Sequence, residues 1–172
     1  MAIKTLEQLF IHELGDIYDA EHQFLEAQQK MHKQASSKTI VTMLEKHIGE
    51  TEQQIKNLEQ VFKALGEKAE RVKCQGAAGL VSEGTKMLKE TAENPELADF
   101  AMLGAMAKVE NYEIPAYEGL ITGAEKMKQK EVVRLLKENL KQEQQTAQKV
   151  AATLPQILEK AMSSEKSSSA SA

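Results

Sequence analysis

Four glutamates stand where a helical chain ordinarily places apolar side chains. Glu21 lies between Ile17 and Leu25, Glu50 between His47 and Leu58, Glu110 between Leu103 and Tyr117, and Glu143 between Leu140 and Ala147. A helix returns to the same face about every 3.6 residues, so each acid joins an apolar stripe and points inward. One inward glutamate is commonly satisfied by a lysine or tyrosine. Four at one height are different: withdrawing each carboxylate from water costs several kcal/mol, and repulsion adds to that, unless protons or cations arrive. Two divalent metal ions would cancel the four charges.

The known di-iron carboxylate bundles take one Glu from each of two helices and a Glu-x-x-His pair from each of the other two. Here Gln53 follows Glu50 by three residues and Thr146 follows Glu143 by three, and neither is a good ligand. His47, three residues before Glu50 on the inward face, is the nitrogen candidate; its alternatives are a hydrogen-bonding partner of a ligand or an ordinary core histidine. Glu113 and Gln54, within a turn of Glu110 and Glu50, are further oxygen candidates. Glu50 and Glu110 are the natural bridging candidates, with Glu21 and Glu143 terminal, an assignment that the sequence leaves open. His12, His22 and His32 recur every ten residues, share no helical face and read as surface residues. Tyr18, Tyr112 and Tyr117 stand near the acids as hydrogen-bond donors. The methionines suit core filling better than a glutamate-rich metal site.

Four long helices must carry these residues. The first starts at Thr5, which has capping-box spacing to Gln8, and runs to about Gln34 on Leu6, Phe10, Leu14, Ile17, Leu25 and Gln28. Ser36-Ser37 interrupts it. A second stripe, Ile40, Met43, Leu44, His47, Leu58, Val61 and Leu65, ends at Gly66, a residue suited to a left-handed cap. Residues 67–93 form a weaker stretch in which Leu80, Val81, Met87 and Leu88 mark a short amphipathic helix. Asn94-Pro95, with Glu96 and Asp99 behind it, starts the third long helix, which reaches about Met127. Pro115 lies inside that helix and predicts a kink. The fourth long helix follows Lys128–Lys130, carries Val133, Leu136, Leu140, Ala147 and Val150, and stops near Thr153, because Pro155 disfavours helix in the residue before it. Thr153 and Gln156 then cap one last turn. The stretch 163–172 is Ser-rich, has no apolar face and reads as a flexible tail.

Two helical hairpins joined by a long crossover give an all-α, ferritin-like four-helix bundle over residues 1–162, the crossover carrying a short extra helix. The pairs Glu21/Glu50 and Glu110/Glu143 repeat with separations that differ by about one helical turn, so each hairpin supplies one acid per helix. Composition agrees: three Tyr, four Phe and no Trp, with 9 Gly and 3 Pro in 172 residues, exclude an all-β fold. A net charge of −4 offers no field for a nucleic-acid backbone. No stretch approaches a membrane span, no signal peptide is evident, and the single Cys74 cannot close an intramolecular disulfide, so a cytoplasmic protein is expected.

The run Asp16-Ile-Tyr-Asp-Ala-Glu21, the segment His47-Ile-Gly-Glu-Thr51, the stretch from Cys74 to Gly79-Leu80, and Val109-Glu-Asn-Tyr-Glu-Ile114 with Tyr117 resemble the YciF-type ferritin-like family of bacterial stress-response proteins. The resemblance covers roughly residues 3–160. It implies a ferritin-like bundle, often dimeric, with a dinuclear metal centre that takes Glu21, Glu50, Glu110 and Glu143, and His47 and Glu113 less securely. The expected function is that of a stress-associated non-haem dimetal oxidoreductase holding two divalent ions, iron or manganese, whose open positions would bind oxygen or peroxide, in a homodimer that binds neither nucleic acid nor membrane. The alternative is a metal-independent helical scaffold acting through dimerisation or partner binding. Iron storage, which needs a hollow multimer, is the weakest reading.

Overall fold

A computed structural model describes the backbone of residues 2–169 and the side chains of residues 2–164. The chain forms α1 (Leu6–Gln34), α2 (Lys38–Leu65), α3 (Gln75–Glu90), α4 (Pro95–Lys126) and α5 (Lys130–Ser169), with no strand among the described residues. Several helix ends are fixed by the expected groups. Thr5 Oγ1 accepts from the Gln8 N–H at 3.1 Å while Gln8 Oε1 accepts from the Lys4 N–H at 2.9 Å. Gly66 closes α2 in the left-handed region, φ 76°. Asn94 Oδ1 accepts from the Leu97 N–H at 3.1 Å, ahead of a proline that has no N–H to satisfy.

α1 packs against α2 and α4, and α5 against α2 and α4, so the four long helices close a ring as two hairpins. α3 lies across α1 and α4 on the outside and buries only Ala77 and Gly84. The crossover is tied down by α1: Val72 donates its N–H to Gly15 O at 3.0 Å, and the Cys74 N–H reaches Asp19 Oδ2 at 2.9 Å. Gly15 is required here, because a Cβ would lie 2.7 Å from Val72 Cγ2. No helix is long and apolar enough to cross a membrane among the described residues.

The core has two apolar compartments. One gathers Phe10, Leu14, Ile17, Phe24, Leu58, Phe62, Tyr117 and Leu136; the other gathers Met31, Ile40, Leu44, Met102, Leu103, Val150 and Ile157. In every long helix the residue numbers between these groups include buried polar side chains, Gln28, His47, Glu110 and Glu143 among them, and Glu21 is buried one turn before Phe24 at the edge of the first group. A polar layer therefore crosses the bundle between two dry ends.

Several expectations about the helices are corrected. α5 does not stop near Thr153 but continues through Pro155 to Ser169, because Ile157 and Ala161 on its inward face are buried and their burial outweighs one lost backbone bond. Thr153 does not cap a new turn; its hydroxyl donates back to Lys149 O at 2.8 Å. Part of the segment read as a flexible tail, 163–169, is thus helical backbone, and 170–172 lies outside the described residues. The buried stripe of α5 runs through Val132, Leu135, Leu136, Asn139, Glu143, Thr146 and Val150, one residue out of phase with Val133, Leu140 and Ala147, which are half-buried. Asp99 does not serve its own helix's first turn. It accepts from Ser36 N–H and Oγ and from the Ser37 N–H at 3.0, 2.6 and 2.8 Å, and so caps the start of α2. α4 remains helical through Pro115.

Candidate metal centre

Each long helix delivers at least one polar side chain to the buried layer: Glu21 from α1, His47 and Gln54 from α2, Glu110, Glu113 and Tyr117 from α4, Asn139 and Glu143 from α5. Two groups of three have ligand atoms all within 4.8 Å of one another: His47, Glu110 and Glu143, and Glu21, Glu113 and Glu143. Glu143 belongs to both. All five side chains are buried.

These acids have few donors. Tyr117 donates its hydroxyl to Glu21 Oε1, and Gln54 donates its amide to Glu143 Oε1. Glu21 Oε2, both Glu110 oxygens, Glu113 Oε2 and Glu143 Oε2 accept from nothing in the protein, and His47 Nδ1 is likewise unpartnered. His47 Nε2 approaches Glu110 Oε1 to 2.9 Å, but without the direction of a hydrogen bond. Buried polar atoms left in this state are costly, and here five carboxylate oxygens share one place.

Burial raises Glu21, Glu113 and Glu143 well above the ordinary glutamate range, and the neighbouring carboxylates push further in the same direction. Glu110 is pushed up to about 7, chiefly by burial. Burial also lowers His47, which leaves the neutral imidazole that a metal requires. Without cations the cluster retains protons; two divalent ions would replace them. The buried oxygens, the neutral nitrogen and the sharing of Glu143 between two groups fit a pair of hard to borderline divalent cations.

Glu50 stands apart. Its side chain is 14% exposed and its carboxylate is paired with Lys46 one turn earlier on the outer side of α2. It stays close enough to oppose the charge of Glu110, yet belongs to neither group of three. Gln54 acts as a donor to Glu143, and Gln53 donates to Asn57 Oδ1 at 3.0 Å. Of the tyrosines only Tyr117 reaches the cluster; Tyr18 donates to Glu59 and Tyr112 to Asp16. His12 is exposed, and His32 lies 3.3 Å from Glu45. His22 is half-buried with its ring edge-on to Tyr18.

Sequence reasoning missed a supporting chain. Asn57 donates to Asn139 Oδ1 at 2.8 Å, and Asn139 donates to Gln54 O at 3.2 Å and to the Tyr117 hydroxyl at 3.0 Å. Tyr117, having accepted that bond, turns its proton to Glu21. Apart from the Asn139 bond back to Gln54 O on α2, the donors point from α2 through α5 and α4 to the carboxylate on α1. Asn139 is one turn before Glu143 on the same face, and that spacing was the available signal.

Residues 5–163 match the model of the family described as "Domain of unknown function (DUF892)". Protein YciF of Escherichia coli (strain K12) is 37% identical over 147 residues, covering 85% of this chain and 88% of its own. The crystal structure of that organism's stress protein YciF superposes with a TM-score of 0.86 at 34% identity, covering 92% of this chain and 99% of the other. The structure of YcfI from Rhodopseudomonas palustris gives 0.84 at 38% identity, with 87% and 94% covered.

Proposed function

The chain belongs to the DUF892 family of YciF-like proteins, and from that premise we propose that it is a stress-associated ferritin-like bundle holding a dinuclear iron or manganese centre. The observation that carries the reading is Glu143, common to two sets of buried ligands whose carboxylate oxygens have no donor to satisfy them. Glu143 would lie between the two ions. His47 and Glu110 would hold one, and Glu21 and Glu113 the other. Glu50 is a candidate only on release from Lys46. Iron or manganese bound there would supply Lewis acidity and redox chemistry. The protein's own part is to exclude water, to present neutral His47, and to orient Glu21 and Glu143 through Tyr117 and Gln54.

The deciding experiment is metal analysis of the full chain, purified without chelator from iron-replete and manganese-replete cultures. About two equivalents are expected, with Glu143→Gln losing both. Absence of metal in the parent even after anaerobic reconstitution would leave the metal-independent scaffold as the function, and full retention in Glu143→Gln would overturn the assignment of the ions to the two groups that share Glu143. The same reading takes the protein as a cytoplasmic homodimer. Ile3, Leu6 and Leu9, exposed together at the start of α1, support a self-associating surface.

A further inference from the structure

We infer that the cleft beneath α3 is a binding site for an aliphatic carboxylate, with the anionic head at Lys30 and Lys89 and the tail directed inward. The cleft lies between α1, α3 and the start of α4, encloses about 420 Å³, and falls within the size range of small-molecule sites. Its walls include Ala27, Met31, Val81 and Leu88. Two cations line it, and no acid does. Lys30 comes from α1 and Lys89 from α3; both are exposed, and neither has an ion-pair partner among the described residues.

The cleft leads inward. A second, smaller void of about 20 Å³ shares Ala27, Met31 and Val81 with it and ends on His47 and Glu110. A void of that size and lining has no room for a hydrated anion, but it accommodates the end of an alkyl chain. The arrangement fixes polarity: the carboxylate stays outside with the lysines, away from the buried acids, and the apolar end enters. α3 can yield to such a guest because it buries only Ala77 and Gly84 against the bundle.

The inference needs no metal, so its test is separable from that of the metal centre. Octanoate is titrated into the full-length protein, metal-free and metal-loaded, by calorimetry and by methyl NMR of Ala27, Val81 and Leu88. Saturable binding is expected, with those methyl signals moving first, and affinity rising about fourfold per methylene from hexanoate to octanoate. Lys30→Glu combined with Lys89→Glu, both on the surface, should weaken binding at least tenfold with an unchanged melting temperature. Val81→Trp should block the tail and reduce octanoate binding towards that of butyrate. Octanol binding as tightly as octanoate, indifference to the charge reversals, or shifts confined to other parts of the bundle would overturn the assignment.

Discussion

Glu143 is the side chain on which the proposed centre turns, because it belongs to both groups of candidate ligands. In the metal-free protein Glu110 and Glu143 are crowded acids, so Glu110→Gln with Glu143→Gln should abolish metal binding while leaving the metal-free melting temperature equal or a few degrees higher, as calorimetry will register. A fall would mark them as structural partners of core cations. The pH dependence has a definite sign. An unfolded glutamate ionises near its ordinary 4.5, whereas folded Glu110 holds its proton to about 7, and burial raises Glu21, Glu113 and Glu143 well above the ordinary value too. The stabilisation from these raised values is complete below 4.5 and is lost as pH rises through about 7 for Glu110 and through the raised values of the others. Denaturant titration of the metal-free protein should therefore give a stability that falls by a few kcal/mol between about pH 5 and about pH 8, with metal affinity rising over the same window. Asn139→Ala removes the donor that orients Tyr117 and should cost about 1–3 kcal/mol in denaturant melts. It should also lower metal content less than Glu143→Gln does.

At the scale of the helix, the sequence was most readable where side chains speak to their own backbone. Thr5, Gly66 and Asn94 cap as their types and positions demand, and the short helix in the crossover follows from Leu80, Val81 and Leu88. It was least readable where a distant element decides. Asp99 resembles a first-turn acid of α4, yet its carboxylate serves Ser36 and Ser37, a contact with no local trace. Pro155 is a sound stop signal by itself and is overruled by the burial of Ile157 and Ala161. The phase of α5 was misjudged because Asn139 and Thr146, polar but buried, occupy core positions that apolar counting passes over. Glu50, read as the equal of the other three acids, is drawn aside by Lys46, whose reach periodicity cannot weigh. Two measurements follow. Ile157→Ala should destabilise by about 2–5 kcal/mol, the usual cost of emptying a core position, if α5 packs beyond the proline. Asp99→Ala should cost about 1–3 kcal/mol, with Asp99→Asn recovering part of it, since an amide retains one acceptor.

For the molecule as a whole, the apolar Ile3, Leu6 and Leu9 exposed at the start of α1 are consistent with the proposed homodimer, which sedimentation equilibrium will measure. Leu6→Asp with Leu9→Asp should shift it to monomer without loss of helix signal in circular dichroism. The division of the centre between hairpins reaches further, into how the protein is made. During synthesis the first hairpin emerges carrying Glu21 and His47, one member of each ligand group, and α4 then adds Glu113 and Glu110. Neither group is complete until α5 leaves the ribosome and docks with Glu143. The nascent chain therefore offers no finished trap for a passing metal until nearly all of it exists, and capture of the proposed ions would be confined to the closing event of assembly, when the second hairpin meets the first.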